Sequence, residues 1–125
     1  MILLTDDLRD HLLANGRQRD VDHVPVVKFF NPVGAGTWLA TELDADGDTL
    51  FGLADLGFGC PELGSFSLSE LASVRLPFGM GIERDILFQG IFPLSVYAEA
   101  ARQSGSIVLS ERLLRAAAAA LRERG

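Results

Sequence analysis

The chain is poor in several residue types on which particular functions depend. It has one cysteine, Cys60, so an intrachain disulfide is excluded, and one lysine, Lys28, against ten arginines. Only His11 and His23 could activate the cysteine, and sequence spacing shows neither of them near it. No stretch approaches the length of a membrane span, and the start, MILLTDDLRD, lacks the basic region of a signal peptide. We therefore expect a cytoplasmic protein that does not enter a membrane.

The 125 residues carry a net charge of −6, with 48% hydrophobic and 22% charged residues. This composition is typical of one globular domain. The acidic balance disfavours direct binding to nucleic acid or anionic membranes, and it favours a basic partner. Plain solvation is the ordinary explanation of the surface carboxylates, and mimicry of DNA is a more specific alternative.

The pattern of apolar residues and turn signals predicts helices and strands in an irregular order. Thr5 can cap a first helix, and Asp46-Gly47 suits a tight hairpin turn between two antiparallel strands. We predict helices over 5–15, 68–74, 93–104 and 111–124, and strands over 24–30, 37–43, 49–56, 62–66 and 84–89. Because strands and helices do not alternate, the prediction is an α+β fold: an antiparallel sheet of four to five strands with helices packed on one face, and N- and C-terminal helices.

Three charged residues, Lys28, Glu42 and Asp55, lie inside predicted strands among apolar neighbours. Strand alternation puts Glu42 on the same face as Trp38, and the three charges converge if their strands are adjacent and in register. Such a patch could do acid–base chemistry or bind a partner with Trp38 as an aromatic anchor. Cross-strand salt bridges on a solvated face are the simpler interpretation. Glu62, beside a glycine-rich loop, is a further candidate for a contact surface.

Other motifs have ordinary structural explanations. Cys60 fits a small buried apolar residue better than a nucleophile. Asp44, Asp46 and Asp48 imitate a calcium loop, but the glycine comes at the fourth position and strands flank the segment. The glycine pairs lack the sequence of a P-loop or a dinucleotide site. We predict no catalytic residue, no metal ligand and no cofactor.

The last helix has an alanine-rich stripe, Ala116–Ala120, flanked by arginines. Small residues permit close packing against another helix, either within this chain or in a second copy. A homodimer through the helix 116–121 is therefore one option. Base-reading side chains and a helix-turn-helix arrangement are missing, so a DNA-reading helix is not expected.

Six stretches resemble a bacterial family called domain of unknown function 2958: LLTDDLRDHLLANG, PVVKFF, TWLATELD, LFGLADLGFGCPELGSFSLSEL, ERDILF and PLSVYAEAARQSGSIV. They give a single domain, 1–125, with a family core over 1–108 and a C-terminal helical extension over 109–125. The resemblance implies carriage on plasmids or other mobile elements, and it brings no established activity, cofactor or catalytic residue. We expect a non-enzymatic accessory protein that binds another protein, with action against host defences as one form. The alternatives are a small hydrolase using strand carboxylates or Cys60, and an acidic DNA mimic of the antirestriction type.

Overall fold

The computed structural model describes residues 2–125 and centres on one antiparallel sheet of five strands. In chain order the elements are α1 (Asp6–Gly16), β1 (Val27–Phe30), β2 (Thr37–Leu43), β3 (Thr49–Asp55), β4 (Glu62–Ser67), α2 (Leu68–Ser73), a 3-10 turn (Pro77–Gly79), β5 (Glu83–Arg84), α3 (Leu94–Ser104) and α4 (Glu111–Arg124). The strands lie side by side in the order β4-β3-β2-β1-β5. The predicted α+β class, antiparallel sheet and terminal helices are confirmed.

Local sequence signals set the ends of several elements. The Thr5 hydroxyl accepts a hydrogen bond from the N–H of Leu8, 3.2 Å away, and begins α1. In the β2–β3 hairpin the Asp46 carboxylate accepts from the backbone N–H groups of Asp48 and Thr49, while Gly47 takes a φ of 73°. This turn is the one that the sequence predicts, because glycine tolerates positive φ and an aspartate can hold the N–H groups that follow it.

Helices cover both faces of the sheet, so the prediction that they pack on one face is wrong. The helices α1 and α2 contribute Leu12, Leu68 and Leu71 to a core with Val27 and Phe29. A second core joins α3 and α4 to side chains on the opposite face. Successive residues of a strand point to opposite faces, and β2 and β3 are apolar on both faces. Each face therefore needs its own cover: α1 and α2 cover one face, and α3 and α4 cover the other.

The strand β2 contains a β-bulge between Ala40 and Glu42. Ala40 pairs with Gly52, but Glu42 already pairs with Phe51, so Thr41 is an extra residue without a partner in the register. One inserted residue reverses the facing of everything after it. The bulge thereby moves Glu42 to the face opposite Trp38, contrary to the prediction that they share a face.

The fifth strand is much shorter than the predicted 84–89. β5 has two residues, paired with Phe29 and Phe30 of β1, and a turn follows it directly. The Asp85 carboxylate accepts from the N–H of Leu87 at 2.9 Å, which bends the chain away from the sheet. An aspartate that holds the N–H two residues later is a turn signal, and it ends the strand here.

The helix α4 packs on α3 within the same chain. Leu114, Ala117 and Ala118 are buried in the second core. The buried Glu99 of α3 accepts hydrogen bonds from Arg102 at 2.5 Å and from Arg124 at 2.6 Å. Part of the alanine stripe therefore contacts α3, and dimerisation through this helix remains a prediction. Within residues 2–125 no helix has both the length and the apolar character needed to cross a membrane.

Candidate functional site

The register of the sheet separates the five candidate residues into three places. Trp38 pairs with Ala54 of β3, and Ala54 pairs with Glu62 of β4. Paired residues share a face, so Trp38 and Glu62 lie in one row, about 10 Å apart at two strand spacings. Lys28 and Asp55 lie on the opposite face. Glu42 is also on that face, but at the other end of the sheet, opposite Phe51. The five therefore do not form one patch.

Lys28 and Asp55 line the same open cleft, whose volume is about 580 Å³. Its other walls come from three glycine-bearing segments, residues 34–36, 57–59 and 105–107. The buried Asp55 carboxylate accepts from the N–H of Gly57 at 2.9 Å through one oxygen, and from the N–H of Ile107 at 3.0 Å through the other. Asp55 thus fastens two loops to the end of β3, which is a structural role.

Lys28 has partners on the side of the cleft nearer β5. Its ammonium lies 3.4 Å from the Asp85 carboxylate and 5.7 Å from the ring centre of Phe30. An ammonium over an aromatic face is attracted by the ring quadrupole. These contacts hold the amine against the sheet. The Lys28–Asp85 ion pair is a salt bridge between neighbouring segments at the sheet edge, in line with the simpler interpretation of this lysine.

Glu42 is buried, and it lies away from the other candidate carboxylate, Asp55. Burial raises the pKa of its carboxyl, while the charges of His23 and Arg19 oppose that rise. Thr41, displaced by the bulge, is also buried, with its hydroxyl 3.3 Å from the Phe51 carbonyl. Glu42 is therefore a buried acid far from the cleft that holds Asp55.

The acids of the β2–β3 hairpin have hydrogen-bonding roles. Bonds from the Thr49 hydroxyl and from two backbone N–H groups lower the pKa of Asp46 to about 2. The Asp48 carboxylate accepts from the Ser67 hydroxyl at 2.7 Å and from the Ser69 N–H at 2.7 Å, and these bonds lower its pKa. Within residues 2–125 no group of three or more His, Cys, Asp or Glu residues is placed to hold a metal ion. The acids instead tie the hairpin to the start of α2.

Cys60 is exposed, contrary to its interpretation as a buried residue. It lines a small hollow of about 170 Å³ at the end of β3 and β4, together with Leu56, Phe58 and Glu62. His11 and His23 line a different hollow beside α1. The thiol and the imidazoles are thus in separate hollows, and this arrangement does not favour a Cys–His pair.

Three large apolar side chains are exposed at the start of β4, next to a strand edge. Phe58 is 83% exposed, Leu56 is 56% exposed and Leu63 is 51% exposed. Gly57 and Gly59, with φ of 90° and 85°, bracket Phe58. Residues with side chains rarely adopt these angles, so the two glycines shape the loop that projects Phe58 into solvent. Glu62 pairs with Ala54 and Leu63 with Leu53, so these two side chains lie on opposite faces of the edge. We call Leu56, Phe58, Glu62 and Leu63, which flank the edge at the start of β4, the β4-edge surface.

A second exposed apolar pair lies at the opposite edge of the sheet. Ile86 and Leu87 are 73% and 88% exposed, and they line a hollow with Lys28. Here the strand has only two residues and a turn ends it, so little backbone is available for pairing. β4 has six residues, and the sheet order leaves one of its sides without a neighbouring strand. The β4-edge surface is therefore the better candidate, and sequence reasoning had found only its Glu62.

The family comparison matches most of the chain. The family model described as "Protein of unknown function (DUF2958)" matches residues 3–108. This range contains the whole sheet, both loops that Asp55 fastens and the β4-edge surface, while α4 lies beyond it. No curated protein and no solved structure has a significant match to the chain. The protein therefore belongs to the DUF2958 family of proteins of unknown function.

Proposed function

We propose that the protein is a non-enzymatic binding protein that contacts another protein through the β4-edge surface. The single observation that carries the proposal is the exposure of Leu56, Phe58 and Leu63 beside a strand with a free side. Exposed apolar side chains cost solvation free energy, and clusters of them are typical of protein contact sites. As part of the proposal, the protein acts in the cytoplasm as an accessory protein of a bacterial mobile element, which the resemblance implies.

The charged groups support binding over catalysis. Asp55 holds two loops, and Asp46 and Asp48 hold the hairpin. Glu99 is bound by two arginines. A hydrolytic site needs a nucleophile, a base and a stabilising donor within reach of one reacting atom. Lys28 and Asp55 share a cleft, where Asp55 is engaged by two backbone N–H groups and Lys28 by Asp85. Cys60 lines a different hollow, and Glu42 lies at the other end of the sheet.

The arrangement of acids supports protein binding over DNA mimicry. A mimic needs a continuous stripe of carboxylates at about the axial charge spacing of duplex DNA. Glu42, Asp55 and Glu99 are buried, and Asp44 is paired with Arg19. These four carboxylates are therefore not available to a surface stripe.

Affinity capture with matched variants tests the proposal. The wild-type protein and the double variant Leu56→Ser/Phe58→Ser are immobilised and exposed to a lysate of the source organism, and retained proteins are quantified by mass spectrometry. Because interface apolar anchors carry most of the binding free energy, we expect the double variant to lose its specific partner by about tenfold or more.

The control is Ile86→Ser/Leu87→Ser, which removes comparable exposed apolar surface at the opposite edge of the sheet. It should retain the partner at the wild-type level. Equal capture by all three proteins, or loss only in the control, would show that the β4-edge surface is not the contact site.

A further inference from the structure

We propose that the β4 edge binds an extended, lysine- or arginine-bearing segment of the partner protein as an additional strand of the sheet. This inference deepens the proposed function, since it names the mode of contact and the chemistry of the bound segment. It depends on three features of the described chain: a free strand edge, an apolar anchor hollow at its end, and a one-sided charge distribution.

The edge itself is suited to strand addition. β4 is the outermost strand, and its ladder of backbone hydrogen bonds goes to β3 alone. Every second residue of such a strand directs its N–H and C=O away from the sheet. β4 contains neither proline nor lysine, the residues that usually protect an edge from pairing, and it has six residues, Glu62–Ser67, to pair with.

The sheet face at the middle of β4 is uncovered, so the side chains of an added strand would meet no obstacle there. At Gly64 an added Cβ, which projects from that face, would meet no atom within 4 Å. The hollow formed by Leu56, Phe58, Cys60 and Glu62 lies at the end where β4 begins. A strand laid along the edge would place one apolar side chain in this hollow. Backbone pairing supplies affinity in this mode, while side-chain hollows supply specificity.

The acidic residues around β4 indicate that the bound segment is basic. Residues 29–74 hold seven acidic and no basic residues, and this stretch includes β2, β3, β4 and α2. The rest of the chain has ten acidic against eleven basic residues, so the net charge of −6 arises in this stretch. Glu62 is exposed at one end of β4 and Glu70 follows its other end. Glu62 has no cationic partner within residues 2–125. Lysine or arginine in the added strand would complement both ends.

The same charges argue against a second copy of the chain as the occupant. Two β4 edges paired antiparallel would bring the exposed Glu62 of each copy toward the Glu70 end of the other, which costs free energy through repulsion. We therefore assign the edge to a basic segment of another protein.

Selection from a peptide library tests which kind of segment the β4 edge binds. Random decapeptides displayed on phage are selected on the full-length protein, and the enriched peptides are synthesised and titrated by fluorescence anisotropy. We expect peptides with alternating apolar residues and an excess of lysine and arginine. Binding should weaken by roughly tenfold or more in Leu63→Lys/Ser65→Lys, because lysines on an edge strand oppose both pairing and a cationic peptide. Glu62→Gln should weaken it by a smaller factor.

The control is Ile86→Lys/Leu87→Lys, which adds the same charge at the opposite edge and should bind within about twofold of wild type. Enriched peptides without a cationic excess, or equal binding by the β4 variant and the control, would overturn the inference. So would sedimentation showing a wild-type dimer that the β4 variant dissociates, because a second copy would then occupy the edge. If Leu56→Ser/Phe58→Ser loses the lysate partner while Leu63→Lys/Ser65→Lys retains it, strand addition is wrong and the proposed function stands.

Discussion

Replacing Asp55 with alanine should destabilise the protein and loosen the loop that carries Phe58. The carboxylate is buried and accepts from two backbone N–H groups, those of Gly57 and Ile107, at 2.9 and 3.0 Å. Each N–H left without an acceptor in a buried site costs about 1–3 kcal/mol. The adjacent cleft admits water, which lowers the cost to roughly 1.5 kcal/mol per group and about 3 kcal/mol in total.

Urea unfolding followed by the fluorescence of the single tryptophan, Trp38, measures this loss. With a slope of about 2 kcal/mol/M, a loss of about 3 kcal/mol lowers the midpoint by about 1.5 M. Asp55→Asn keeps one acceptor and should lose about half as much. Glu62→Gln, at an exposed acid, serves as the control and should stay within about 0.5 kcal/mol of wild type. A loss below about 0.5 kcal/mol in Asp55→Ala would refute the fastening role and reopen a functional one for this carboxylate.

Three further changes test the roles of other residues. Burial raises the pKa of the Glu42 carboxyl above 4.5, so the ionised form costs stability at pH 7, and Glu42→Gln should unfold at higher urea than wild type there. The gap should close as the pH falls through the raised pKa toward 4.5, where the wild-type carboxyl becomes protonated. Hydrogen bonds lower the pKa of Glu99 from 4.5 to about 2. The carboxylate therefore stabilises the folded protein above pH 4.5, and this stabilisation is lost as the pH falls toward 2. The free energies of unfolding of wild type and Glu99→Gln should converge over that range. Gly52→Ala places a Cβ 1.8 Å from the Leu39 carbonyl oxygen and should cost at least about 2 kcal/mol in thermal or urea unfolding. Gly64→Ala, at the position paired with Gly52, meets no atom within 4 Å and should change stability by less than about 0.5 kcal/mol.

Elements with strong local signals were predictable from the sequence. The hairpin turn at Asp46-Gly47 fixed the pairing of its strands, and β2, β3 and α4 lie within a residue of their predicted ends. The Thr5 hydroxyl accepts from the N–H of Leu8 at 3.2 Å, as the predicted cap requires. These features depend on a few neighbouring residues, which is why sequence alone locates them.

Features that depend on distant contacts were not predictable. Nothing in TWLATEL marks Thr41 as a bulge, and the bulge decides which face receives Glu42. The sequence led to a prediction of helices on one face only, although β2 and β3 are apolar on both faces. The order of elements along the chain does not say on which face of the sheet a helix packs. Both errors come from tertiary geometry acting on locally correct strands.

The candidate site could be predicted only in part. Glu62 was identified from its place beside a glycine-rich loop, and Trp38 lies in the same row of the sheet. Leu56 and Phe58 were missed because apolar residues next to a strand are ordinarily assigned to the core. Two signals were present: glycines on both sides of Phe58, and 46 successive residues, 29–74, without a basic side chain. Together these mark an exposed loop on an acidic surface.

Site-specific photo-crosslinking in the source organism tests the central claim most directly. A photoreactive phenylalanine analogue replaces Phe58 in one strain and Leu87 in another, two exposed positions at opposite edges of the sheet. After irradiation, we predict a discrete crosslinked protein from position 58 and none from position 87. A discrete product from position 87 alone, or no product from either position, would contradict the proposal that the β4-edge surface contacts a protein partner.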